Sequence, residues 1–195
     1  MLYKFLSGLA KGVTHCIFRV KVVGKENVPK DGGMILAVNH KSNWDPIFAG
    51  AYCPRPLRFM AKADLFKNKL FGGLIKKLGA FPIQRGRGDI GAIKGAFSIL
   101  KNNDAMLIFP EGHRIKNGKR VKAKLGVSMI AVYAKVPVIP LCISGEYKPF
   151  QKVTVTFGKP ITFEGYYGKK PDNETLQTLA DEVMQTIYSF DNTDI

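Results

Sequence analysis

The sequence predicts an α/β fold: a single domain with a mixed central sheet flanked by helices, preceded by an N-terminal amphipathic helix. Three observations predict it. Two short, wholly apolar runs, Met34 to Val38 and Ala105 to Phe109, read as buried strands. Stretches of helical periodicity alternate with them, the pattern of strand–helix–strand units. The 195 residues, 46% of them apolar, suit one domain with a substantial core.

In residues 1–20, Leu2, Phe5, Leu6, Leu9, Val13, Cys16, Ile17 and Val20 share one helical face, and Lys4, Gly8, Lys11, His15 and Arg19 the other. No acid precedes Glu26. Such a helix can lie in a headgroup layer with its cations on anionic lipid, or pack on a core with its basic face solvated. Val20 to Val23 reads as a strand, followed by a turn at Pro29 to Gly33. The buried strand Met34 to Val38 then runs into Asn39-His40-Lys41-Ser42-Asn43-Trp44-Asp45-Pro46. Pro46 to Tyr52 predicts a short helix, and Arg58 to Ala61 a strand. Residues 62–79 place Leu65, Leu70, Leu74 and Leu78 among lysines, which predicts a second basic amphipathic helix.

Asp89 to Lys101 reads as a helix. The second buried strand leads into Phe109-Pro110-Glu111-Gly112-His113-Arg114 and a basic loop ending at Lys124. Residues 125–135 read as a buried helix. Val136 to Ser144 and Lys152 to Phe157 read as strands, and a C-terminal helix starts at Asp172 or Asn173. Its apolar side carries Leu176, Leu179, Val183 and Ile187.

Charge and composition restrict the function. Thirty Lys and Arg against fifteen Asp and Glu give a formal net charge of +15. That excess favours nucleic acid, an anionic membrane surface or phosphorylated substrates. No helix-turn-helix, zinc or RNA-stacking signature supports nucleic acid. Cys16, Cys53 and Cys142 are odd in number and lack metal-ligand spacing, so neither a disulfide framework nor a metal is expected. No apolar run reaches the ~18 residues of a spanning helix, and no cleavable signal is expected.

The turn after the first buried strand holds the candidate chemistry. Open α/β sheets place ligands at the carboxyl ends of their strands. His40 suits a general base near neutral pH, and Asp45, five residues on, can fix its tautomer. That spacing puts the two off a common helical face, so they meet only across a turn. The alternative is that Asp45 merely caps a helix beginning at Pro46. Arg85 and Arg114 each offer a planar fork suited to phosphate. Glu111 accepts a hydrogen bond from a substrate hydroxyl, holds an arginine, or pairs with Arg114 to shape a turn. Gly112 permits close backbone approach.

Together the His-x4-Asp turn, the strand ending Phe81-Pro82-Ile83-Gln84-Arg85, the Phe-Pro-Glu-Gly-His-Arg turn and Val136-Pro137-Val138-Ile139-Pro140 resemble, in order, the four motifs of the 1-acylglycerol-3-phosphate acyltransferase family. His113 stands where that family commonly has threonine. The basic-only polar face of residues 1–20 predicts a membrane-associating helix there, and the resemblance implies an acyltransferase domain over 21–195. It implies transfer of an acyl group from acyl-CoA or acyl-carrier protein to the free hydroxyl of lysophosphatidate. His40 and Asp45 would be catalytic, and Arg85, Glu111, Gly112, Arg114 and Lys124 would bind substrate. Glycerol-3-phosphate or another lysophospholipid is the alternative acceptor, and a non-catalytic basic lipid- or nucleic-acid-binding module the alternative class. No cofactor is expected. The expected place is the cytoplasmic face of the cell membrane, as a peripheral protein.

Overall fold

The structure, a computed structural model, describes residues 2–83, 90–115 and 120–191. Its centre is a seven-stranded sheet: β1 (Arg19–Val23), β2 (Met34–Val38), β3 (Leu57–Lys62), β4 (Ala80–Ile83), β5 (Ala105–Ile108), β6 (Val138–Gly145) and β7 (Lys152–Phe157). The spatial order is β1-β7-β6-β2-β5-β3-β4. All neighbours are parallel except β6 and β7, so the expected mixed sheet is present.

The apolar run of β2 is central because it is buried on both faces, and its period of two divides it between them. Ile35 and Ala37 join one core layer, and Met34, Leu36 and Val38 the other. The first layer is covered by α4 (Ile90–Lys101), α5 (Gly126–Ala134) and α6 (Asn173–Ser189). Asp172 caps α6, its carboxylate accepting the Thr175 N–H at 2.8 Å, and Leu176, Leu179, Val183 and Ile187 are all buried.

The second layer lies beneath α1 (Leu2–Ile17) and α2 (Asp45–Tyr52). Here the structure changes the reading of the first helix. α1 ends at Ile17, and Val20 belongs to β1. Its supposed single apolar face is divided. Leu6 and Ile17 are part-buried, whereas Leu2, Phe5, Leu9, Val13 and Cys16 are exposed. The side facing the domain is mixed: Ala10 and Ile17 pack on the core, while Ser7 Oγ donates to the carbonyls of Gly50 and Ala51, Tyr3 Oη donates to Gly50, and Thr14 Oγ1 bonds Tyr52 Oη at 2.8 Å. The last turn of α2 leaves its carbonyls without helical partners, and α1 supplies them. So α1 docks on the domain and presents an apolar stripe outward as well.

The helix expected over 62–79 is shorter. β3 runs to Lys62, a 3₁₀ turn covers Ala63–Phe66, and only α3 (Lys69–Lys77) is α-helical. Asn68 Oδ1 accepts the Leu70 N–H at 3.1 Å and so starts α3 late. Leu70 and Leu74 are exposed on it. Among the described residues no helix is long and apolar enough to cross a membrane.

Candidate active site

β2 and β5 are parallel neighbours in near-level register, with Ala37 opposite Ile108. The chain therefore leaves both strands at one edge of the sheet, bringing His40 beside the Phe109–Arg114 turn. Hydrogen bonds at the His40 backbone help join the turns: its N–H donates to Glu111 Oε2 at 2.6 Å, and its carbonyl accepts the Ile115 N–H at 2.7 Å. β6 flanks β2 on the other side, where Asn39 exchanges side-chain hydrogen bonds with the Ile143 backbone at 3.1 and 2.8 Å.

His40 and Asp45 meet. Nδ1 lies 2.9 Å from Asp45 Oδ2 across a turn. The same oxygen accepts the N–H groups of Lys41 and Ser42, both at 2.7 Å. Although α2 starts at Asp45, the carboxylate binds the turn before the helix, and no side-chain cap is formed. The capping alternative thus gives way to the histidine–aspartate pair. An oxygen already accepting two N–H groups also accepts from Nδ1, which leaves Nε2 as the ring's acceptor. The imidazole stacks on Phe109 with centroids 4.0 Å apart and 20° between planes. Its side chain is 15% exposed, while Asp45 is fully buried.

Glu111 is also buried. Oε1 accepts the Tyr188 hydroxyl from α6 at 3.2 Å. Burial pushes its carboxyl up to about 7, against the lowering effect of the His40 N–H. Both oxygens thus serve the frame of the site. The ion pair with Arg114, one of the alternatives, is not formed: Arg114 is exposed and its Nη1 donates to Asn43 Oδ1 at 2.9 Å. Gly112 has φ +76°, and a Cβ there would meet the Lys124 stem at 3.2 Å. This glycine is required by a left-handed turn packed beneath Lys124. Lys124 N–H donates to the Pro110 carbonyl at 2.7 Å, fixing that residue beside the turn. Arg85 lies outside the described residues, beyond β4.

An apolar cavity of about 400 Å³ opens beside the pair, between α1, α2, α3 and the strands β3 and β5. Ser7, Ala10, Pro46, Ile47, Phe59 and Ile75 are among its lining residues. Pro46 follows Asp45 directly, so the cavity meets the first turn of α2, which carries Asp45. Val138 to Pro140 of the fourth motif are buried in β6, and none of Val136–Pro140 lines this cavity. Burial raises the thiols of Cys53 to about 11 and Cys142 to about 12, leaving both poor nucleophiles.

Asn43, Phe109 as a stacking partner, Tyr147 and Tyr188 were not among the sequence candidates. Tyr188 reaches Glu111 across 77 residues and Tyr147 reaches Asp45 across 102, so no local spacing marks them.

A histidine whose Nε2 has no partner among the described residues, with a buried carboxylate on Nδ1, Arg114 bonded to the same turn and an apolar cavity at the start of α2, can take a proton from the hydroxyl of an anionic amphiphile. The comparisons with known proteins agree with that class. The family model described as Acyltransferase matches residues 19–144, and the chain belongs to this acyltransferase family. It is 31% identical to the 1-acyl-sn-glycerol-3-phosphate acyltransferase of Bacillus subtilis, over 98% of each chain. It is 33% identical to the enzyme of the same name from Streptococcus pneumoniae, over 98% of this chain and 74% of that one. Its fold matches the crystal structure of the 1-acyl-sn-glycerophosphate acyltransferase PlsC of Thermotoga maritima, with a TM-score of 0.77 and 28% identity, covering 96% of this chain and 78% of that one.

Proposed function

We propose that this protein transfers a fatty acyl group from a thioester to the free hydroxyl of lysophosphatidate, making phosphatidate. The observation that carries the reading is the His40–Asp45 pair beside an apolar cavity in a chain so similar to 1-acyl-sn-glycerol-3-phosphate acyltransferases.

His40 Nε2 takes the hydroxyl proton as the oxygen attacks the thioester carbonyl, and Asp45 holds the ring and stabilises the imidazolium. The tetrahedral intermediate collapses with loss of the thiolate, which takes up the proton from His40. The acceptor is itself the nucleophile, consistent with the raised thiols of Cys53 and Cys142. Arg114, steadied by Asn43, together with Lys124 and Arg85 hold the phosphate, which places the hydroxyl at Nε2. Glu111 and Gly112 act by shaping the turn. An acyl chain lies in the cavity under α1. The exposed stripe of α1 with Leu70 and Leu74 of α3 faces the lipid, and the protein is peripheral to an anionic membrane on its cytoplasmic side. The donor is acyl-CoA or acyl-carrier protein.

The test is labelled acyl transfer in liposomes with each donor in turn. Phosphatidate formed only when lysophosphatidate is present is expected. Free fatty acid released at the same rate without any acceptor would replace this reading with thioester hydrolysis.

A further inference from the structure

Asp45 has two oxygens, and Nδ1 of His40 with two backbone N–H groups occupies only Oδ2. Oδ1 accepts the hydroxyl of Tyr147, its one partner among the described residues. For a carboxylate this deeply buried, the loss of a donor leaves an uncompensated oxygen. The phenol is held in turn. Its ring lies edge-on to Phe18 at 6.0 Å and tilted against Phe48 at 5.7 Å. Lys41 Nζ sits 5.3 Å over its centroid while donating to the Gly145 carbonyl at 2.7 Å. Burial, and then the charge of Asp45, raise the phenol far above its ordinary range, so it remains a donor.

The sheet explains how a residue so distant in sequence arrives there. β6 runs parallel to β2 with Val38 opposite Leu141, so both strands end at the same edge. Asn39 ties the end of β2 to Ile143, which fixes the level at which the chain leaves β6. Gly145, at φ +98°, then turns Tyr147 towards Asp45.

We propose that Tyr147 is a positioning residue for the transfer reaction: its hydroxyl holds Asp45 Oδ1 and so fixes the carboxylate that orients His40. This rests on the role given above to His40 and Asp45. Two of the carboxylate's donors come from the turn on which His40 itself sits, so they move with it. Tyr147 is the anchor from the loop that follows β6, and it sets the carboxylate plane independently of that turn.

The experiment compares wild type, Tyr147→Phe, Asp45→Asn and the double variant in steady-state transfer, each assayed well below its own Tm. Tyr147→Phe keeps the ring and its packing on Phe18 and Phe48. Its kcat is expected to fall about 10-fold, with KM for both substrates within about 2-fold of wild type. In the Asp45→Asn background the same change is expected to cost nothing further, because the group it positions is gone. Wild-type kcat in Tyr147→Phe, with or without a lower Tm, would overturn the inference and leave the catalytic reading standing. So would an equal additional loss in the Asp45→Asn background. Full activity in Asp45→Asn would overturn both.

Discussion

The two faces of the sheet are packed by different rules. On the face covered by α4, α5 and α6 the core is closed: Val183, Met184 and Ile187 meet Ile35, Ala37 and Met106 with almost no exposure. On the other face α1 is attached by hydroxyls to the end of α2, a cavity of about 400 Å³ remains beneath it, and Phe5, Leu9 and Leu70 stand in solvent. The difference teaches where stability and function are separated. A closed layer holds β2 and β5 in register and so sets the edge that carries His40 and Glu111. On the proposed reading, the open layer gives the substrate somewhere to put its acyl chain.

Substitutions that treat the faces alike in size should therefore act differently. The largest stability effect belongs to the closed face. Ile187→Ala is expected to cost about 3 kcal/mol in urea unfolding with KM little changed, because the cavity it leaves cannot collapse. Equal stability would contradict the closed core.

Glu111 joins the closed face to the site and yields a comparable effect that depends on pH. Its carboxyl, raised to about 7 in the folded protein, binds a proton more tightly there than in the unfolded chain. Its contribution is therefore fully present below the unfolded value near 4.5 and is lost as pH rises to 7. Glu111→Gln cannot titrate. Its stability relative to wild type should improve by up to about 3 kcal/mol between pH 5 and pH 8, as read from thermal unfolding across that range. A constant gap would show that burial does not govern this carboxyl.

On the open face a filled cavity should change selection more than stability. Ala10→Leu is expected to lower kcat/KM for long acyl chains by about 10-fold relative to short ones, with unfolding changed by less than about 1 kcal/mol. A uniform loss across chain lengths would place the chain elsewhere. The smallest stability effect is expected at the outward stripe. Phe5→Ser with Leu9→Ser should alter stability by no more than about 0.5 kcal/mol yet weaken sedimentation with anionic liposomes. Undiminished sedimentation would remove α1 from the membrane contact.

This contrast also separates what sequence shows from what it conceals. β2 and β5 were legible because continuous apolar runs ending in polar turns have few other structures. α6 was legible because Asp172 and the spacing of Leu176, Leu179, Val183 and Ile187 agree on one helix. α1 was half legible. Periodicity found its apolar stripe, but the docking side is made in part by Ser7 and Thr14, whose hydroxyls carry no hydrophobic signal. The stretch after Lys62 was overextended as a helix because an apolar period does not reveal a 3₁₀ turn or the late start imposed by Asn68. At the site, His40 and Asp45 are five residues apart and were paired by their chemistry, with capping as the alternative, because the spacing allows them to meet only across a turn. Glu111 was placed against substrate or Arg114 because Tyr188 becomes its neighbour only when α6 packs. Tyr147 was hidden for the same reason, since parallel strands bring together residues that the chain keeps far apart.

The central claim is that His40, oriented by Asp45, takes the proton from the acceptor. Its most direct test is the rate of phosphatidate formation from labelled acyl-CoA and from acyl-carrier protein by wild type and by His40→Ala at equal folded concentration. The account predicts transfer by wild type with one or both donors, and a loss of about 10³-fold or more in His40→Ala with folding intact. Equal transfer by the two proteins would contradict it.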